Sequence, residues 1–154
     1  MPSRYNGTPD EVLALNTLIK LSRSVSALTA HLIPLIQKDF GITESQFAVL
    51  EALYHLGPLS QGQLCQKILR SGSNLTTVVD NLERNSLVRR ERDVEDRRVQ
   101  IVTLTEQGKE VIEAALPEHV ARVSQAMRVL TPEEQAELGR ICVKLGKSIP
   151  RQTE

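Results

Sequence analysis

Apolar residues in this chain recur by threes and fours over most of its length, and by twos in one short region only. Val12, Leu15, Leu18, Ile19, Val25, Leu28 and Leu32 trace one helical face. Thr8 caps that helix, with Pro9 at its first position and Glu11 at its third, and Gly41 ends it. Pro34 is expected to kink the helix or force a short break. Thr43 and Gln46 form a second capping box, opening a helix with Phe47, Leu50, Leu53 and Tyr54 inward, until Gly57 and Pro58 stop it. Ser60 and Gln63 form a third, ahead of a short helix with Leu64, Ile68 and Leu69 inward. Gly72 breaks that helix and Ser73 caps the next, whose Leu75, Val78, Val79 and Leu82 make one apolar stripe.

The period then changes. Two short β-type runs, residues 87–90 and 99–104, flank the charged sequence DVEDRR at 93–98. This predicts a hairpin whose tip presents Arg97 and Arg98, braced by nearby carboxylates. A guanidinium held at the end of a ribbon suits a narrow, strongly negative groove. Thr105 and Glu106 begin another helix, with Val111, Ile112, Ala115, Leu116, Val120, Val123 and Met127 on its face and a bend expected at Pro117. Thr131, Pro132 and Glu134 open the last helix, with Leu138, Ile141, Cys142, Leu145 and Ile149 on its stripe. The predicted fold is mainly α with a small β-hairpin, an α+β class. Both terminal segments are amphipathic and have no strand to pack on, so the same segments of a second copy are the simplest cover.

Composition narrows this picture. The 154 residues suit one domain, or one domain with an appended helical element. Aromatics are only 3%, so the core is built from Leu, Val and Ile. Lys and Arg number 19 and so do Asp and Glu, which gives no bulk basic charge to hold nucleic acid. Any DNA affinity must come from local placement of arginines. Arg70, Arg84, Arg89, Arg90, Arg92, Arg97 and Arg98 share their span with Asp80, Glu83, Glu91, Asp93, Glu95 and Asp96, leaving a net charge of only +1. Some of these arginines therefore pair within the chain, and strand alternation sends Arg89 and Arg90 to opposite faces. No apolar run is long enough for a transmembrane helix, and the N-terminal residues lack the apolar stretch of a signal peptide, so a cytoplasmic location is expected.

The helix over residues 73–84 carries the candidate chemistry. Opposite its apolar stripe lie Asn74, Thr76, Thr77, Asp80, Asn81 and Arg84, with Ser73 at its start. Ordinary solvated helix faces carry Glu and Lys, whereas positions 73–81 have neither. Short hydrogen-bonding side chains can approach base edges and phosphates.

With these residues in place, the chain resembles the MarR family of bacterial transcriptional regulators. The likeness runs from about Gly41 to Gly108 and rests on GITESQFAVLEAL, LGPLSQGQLCQKI, SNLTTVVDNLERNSLVRR and DVEDRRVQIVTLTEQGKEV. It implies a winged helix-turn-helix lobe over residues 43–105 and a helical dimerisation region over 8–40 and 106–149. The expected function is that of a homodimeric repressor, binding a pseudo-palindromic operator in double-stranded DNA and released by a small-molecule effector. The expected DNA contacts are Ser73, Asn74, Thr76, Thr77, Asn81 and Arg84 in the major groove. Arg97 is the expected wing-tip residue in the minor groove, oriented by Asp96 or Asp93, with Arg98 supporting the wing or touching phosphate. One departure from the family pattern is the single basic residue, Arg84, on the reading helix.

The resemblance also implies an aromatic-acid or phenolic effector, for which the expected lining is Arg23, His31, Tyr54 and His55. The alternative is that Tyr54 is core and the others are solvated or capping residues. His31, His55 and His119 with Cys65 match no metal spacing, so no metal or cofactor is expected. Cys65 and Cys142 are read as buried, reduced thiols. A redox-sensing regulator acting through either cysteine is an alternative, though the family's oxidation-sensing branch carries its cysteine near the N-terminus and none precedes Cys65 here. A winged-helix protein–protein module without DNA binding would instead show a wing lacking arginine. No arrangement of catalytic residues is recognisable, so an enzyme is not expected.

Overall fold

The computed structural model describes residues 5–68 and 72–149, and for Gly72, Ser73 and Asn74 the backbone alone. Among the described residues, six helices and three strands follow in the order α1 (Pro9–Phe40), α2 (Glu44–Leu56), β1 (Leu59–Ser60), α3 (Gln61–Ile68), α4 (Gly72–Arg84), β2 (Val88–Arg92), β3 (Gln100–Leu104), α5 (Glu106–Met127) and α6 (Pro132–Ser148). The fold is mainly helical with one small antiparallel sheet, as the pattern predicts. The described residues divide into two units, one ending at His119 and the other beginning at Val120.

Local hydrogen bonds set most helix starts. Thr8, Thr43 and Thr131 each accept from the backbone N–H three residues on, while Glu11, Gln46 and Glu134 reach back to the cap. Ser60 and Gln63 do the same at α3, with bonds of 2.8 and 3.2 Å. Each box satisfies N–H groups that a helix start would otherwise leave without partners. Neither internal proline interrupts its helix. α1 runs unbroken through Pro34 and α5 through Pro117.

The sheet has the order β1-β3-β2. Val88 lies opposite Leu104, and Arg92 opposite Gln100, so the wing strands begin later than the predicted 87–90 and 99–104. Strand β1 was not expected; its two residues pair with Val102 and Ile101. In the first unit, Phe47, Leu50 and Leu53 of α2, Leu64 of α3, Leu75, Val79 and Leu82 of α4 and Ile112 of α5 form one buried cluster. Tyr54 does not join it. That ring is 38% exposed, and its hydroxyl donates to Glu113 Oε1 at 3.3 Å, which ties α2 to α5. Cys65 packs half-buried against the cluster. Cys142, expected to be buried, is exposed on α6. Leu69, expected inward, lies outside the described residues.

In the second unit, Gln135 caps the preceding helix by donating to the carbonyls of Met127 and Leu130 at 3.2 and 3.0 Å. No residue of α6 is buried. Among the described residues, no helix is long and apolar enough to cross a membrane.

Candidate nucleic-acid interface

The polar face of α4 is set in place from its C-terminal end and from below. Beneath it, Leu75, Val79 and Leu82 are fully buried, so Thr76 and Thr77 project outward. At its C-terminus the Ser86 N–H bonds the Glu83 carbonyl at 2.9 Å, and the Leu87 N–H bonds the Leu82 carbonyl at 2.9 Å. These are the two bonds of a Schellman ending, with Ser86 in the left-handed position at φ 58° where glycine is usual. The chain leaves the helix there in a fixed direction, straight into the wing.

The next corner is built around Leu87. Its carbonyl accepts from the Thr105 N–H at 3.2 Å, and the Thr105 hydroxyl donates to the Ser86 carbonyl at 2.6 Å. That hydroxyl also accepts from the Gly108 N–H at 3.0 Å, capping α5. A Cβ on Gly108 would lie 1.9 Å from the Leu87 carbonyl oxygen, so only glycine fits. The end of α4, the start of β2 and the first turn of α5 thus meet at one tight corner.

Arg90 joins the wing to the helix. Its Nε donates to Glu83 at 3.0 Å, its terminal nitrogen bonds both Glu83, at 2.8 Å, and Asp80, and its backbone N–H donates to Glu83 at 3.0 Å. The Asp80 hydrogen bond above all, with Glu83 adding to it against the cost of burial, raises the Arg90 pKa further above its ordinary value. Asp80, the acidic side chain on the polar face, is thereby neutralised from behind. Arg89 points the other way and pairs with Glu91 at 2.9 Å in solvent, the alternation expected of a strand.

At the wing tip the two arginines differ. Asp93 accepts from the N–H groups of Glu95 and Asp96 at 2.7 and 3.1 Å, closing the turn. The Asp96 carboxylate holds Arg98 in a two-pronged pair, at 3.1 and 3.0 Å, and also accepts the Arg98 backbone N–H. The Arg98 guanidinium, then its N–H, lowers the Asp96 pKa below the ordinary range. Asp96 or Asp93 was expected to orient Arg97; Asp93 closes the turn, and Asp96 has another partner. It orients its neighbour instead, because the turn already brings the Arg98 N–H onto the same oxygen. Arg97 is exposed and makes no ion pair or hydrogen bond with any described residue.

On α4, Arg84 donates to Asn81 Oδ1 at 3.0 Å, so these two expected contacts form one unit. The side chains of Ser73 and Asn74, also expected contacts, lie outside the described residues. A polar side chain that sequence reading missed is Gln61, which reaches from α3 to Thr76.

The MarR family model matches residues 42–99. The HTH-type transcriptional regulator YkoM of Bacillus subtilis is 35% identical over 86% of this chain and 86% of its own length. The chain belongs to the MarR family. MhqR, another HTH-type regulator of Bacillus subtilis, is 36% identical over 79% of this chain and 83% of its own length. The MarR regulator Sco3205 of Streptomyces coelicolor, solved in complex with DNA, superposes with a TM-score of 0.83 at 30% identity, covering 99% of this chain and 95% of its own. This MarR protein is a helix-turn-helix transcriptional regulator and not an enzyme.

Of the four side chains expected around an effector, Tyr54 and His55 meet each other in this regulator's single chain. Arg23 and His31 are exposed on α1. Tyr54 turns toward Glu113, and its ring meets that of His55 edge-on at 5.3 Å. His55 borders a groove of about 490 Å³ between α2 and α3, with Glu44, Glu51, Leu56, Lys67 and Ile68.

Proposed function

We infer that this regulator reads duplex DNA as a homodimer, with α4 in the major groove and Arg97 in an adjacent minor groove. The observation that carries the reading is the contrast at the wing tip. Arg98 is held by Asp96, while Arg97 is left exposed on a hairpin that Arg90 fastens to α4. A free guanidinium on a rigid ribbon is what a narrow, negative groove accepts. Thr76, Thr77, Asn81 and Arg84, with Ser73 and Asn74, supply the reading face, and Asp93 and Asp96 shape the wing. The DNA complex of Sco3205 supports this use of the fold.

Residues 43–105 serve as the reading lobe, and residues 8–40 and 106–149 as the dimerisation region. The exposed apolar residues of α1 and of α6 each suit a second copy. Two-fold symmetry then calls for a pseudo-palindromic operator with half-sites ~10 bp apart. The regulator acts in the cytoplasm as a repressor, released by a small aromatic or phenolic effector that favours one spacing of the two reading helices. The MepR-like protein solved with pseudoligands, 29% identical, supports a ligand-responsive fold.

A mobility-shift titration on the DNA upstream of its own gene tests the reading. Wild-type protein shifts that DNA and weakens steeply with salt. Arg97→Ala loses about 1–3 kcal/mol of binding. Unchanged affinity in that variant removes Arg97 from the interface, and a flat salt dependence argues against DNA binding altogether.

A further inference from the structure

Thr77, Asn81 and Arg84 follow one another by four and three residues, so they share one face of α4, opposite the buried Leu75, Val79 and Leu82. Reading positions on a recognition helix recur at this spacing over about two turns. Asp80 stands four residues before Arg84, where a salt bridge would ordinarily form. Arg90 already holds that carboxylate and the one of Glu83. Arg84 turns to Asn81 instead, its Nη1 donating to Oδ1 at 3.0 Å on the exposed side of the helix.

This bond fixes which way the amide faces. A guanidinium carries only donors, so it can meet the amide oxygen and never the amide nitrogen. A free asparagine reads adenine, its oxygen accepting from N6–H and its nitrogen donating to N7. In this pair the oxygen already has its donor. An adenine amino group brought to the same oxygen would sit against the guanidinium, donor against donor. What Asn81 and Arg84 offer together is a row of N–H groups. Guanine is the base whose major-groove edge shows two acceptors, N7 and O6.

We propose that Asn81 and Arg84 form one composite reader of guanine, in which Arg84 masks the adenine-reading edge of Asn81. Arg84 is a specificity-determining residue in two ways, donating to the preferred base and blocking the competing one. This rests on the DNA-reading function inferred above.

Selection from a random duplex pool tests this with the wild-type protein, Arg84→Ala and Asn81→Ala. Melting temperature and salt dependence are measured on the same proteins. Wild type is expected to enrich guanine at one position in each half-site. Arg84→Ala is expected to prefer adenine there, by about tenfold, in an otherwise unchanged operator. Asn81→Ala weakens the guanine preference and brings no gain for adenine. Melting temperatures stay near the wild-type value, because a hydrogen bond open to water adds little to stability. Persistence of guanine in Arg84→Ala overturns the proposal, and so does a relaxed base with no gain for adenine. A uniform loss over all sequences with a shallower salt slope also overturns it, marking Arg84 as a phosphate contact. A wild-type protein that enriches no sequence overturns the DNA-reading function itself.

Discussion

Helices α4 and α6 look alike on paper, each with an apolar stripe at helical spacing, but the chain treats them differently. In α4, Leu75, Val79 and Leu82 are at most 1% exposed. In α6, Leu138, Ile141 and Leu145 are 41, 47 and 46% exposed. Fully burying such side chains contributes about 1.5–3 kcal/mol each. The first helix draws that stabilisation from its own lobe, whereas the second leaves much of it for another surface. The polar face of α4 is thus held by intrachain contacts, whereas the apolar stripe of α6 stays largely exposed in the single chain.

Substitutions can break this contrast. The largest expected effect is Gly108→Ala, which forces a Cβ against the Leu87 carbonyl where neither backbone can yield. It should cost about 3 kcal/mol, a fall of roughly 10 °C in melting temperature by calorimetry. A melting point within a degree or so of wild type would show that the corner is looser than its geometry. Next is Ile141→Glu on α6, which on the proposed dimer weakens association by about 2 kcal/mol, or roughly thirtyfold. Sedimentation at graded concentrations checks this, with the lobe's helical signal unchanged. Equal association in the variant would mean that α6 faces solvent for some other reason.

Smaller effects sharpen the account of the wing. Ser86→Gly relieves a left-handed backbone at φ 58° and should stabilise the lobe by about 0.5–1 kcal/mol. Denaturant titration would register it as a higher midpoint at constant slope. The smallest effect is a pH dependence confined to the tip. Because Arg98 lowers the Asp96 pKa, the pair's contribution is present above the ordinary aspartate range and is lost as pH falls through the folded value. The Arg98 backbone N–H and Nε–H signals, both bonded to Asp96, should move together in that acidic window and cease to do so in Asp96→Asn.

What the sequence discloses follows the reach of each interaction. The capping boxes at Thr8, Thr43, Ser60 and Thr131 join residues three apart, so spelling alone reveals them. The stripe of α4 was legible for the same reason, its period being local. Strand β1 was not, since its two residues are defined only by pairing with Ile101 and Val102, far along the chain. Arg90 was visible as one of several arginines needing a partner, but choosing Asp80 and Glu83 required knowing how the wing folds back. At the tip, Arg97 and Arg98 were equally eligible for Asp96 until the turn's backbone placed one N–H on its carboxylate. Gln61 gave no local signal, because its partner belongs to another helix. An effector site was the least legible, since side chains on separate helices have no spacing to read.

The corner at Gly108 has a consequence for genetics. A screen for mutants that no longer regulate would return substitutions there, although Gly108 sits on the far side of the wing strands from the Arg97 tip. Such alleles should be temperature-sensitive and recover when the protein is overproduced in the cold. Alleles at Arg97 should fail at every temperature with the protein intact. Growth at two temperatures would therefore separate loss of the reader from loss of reading.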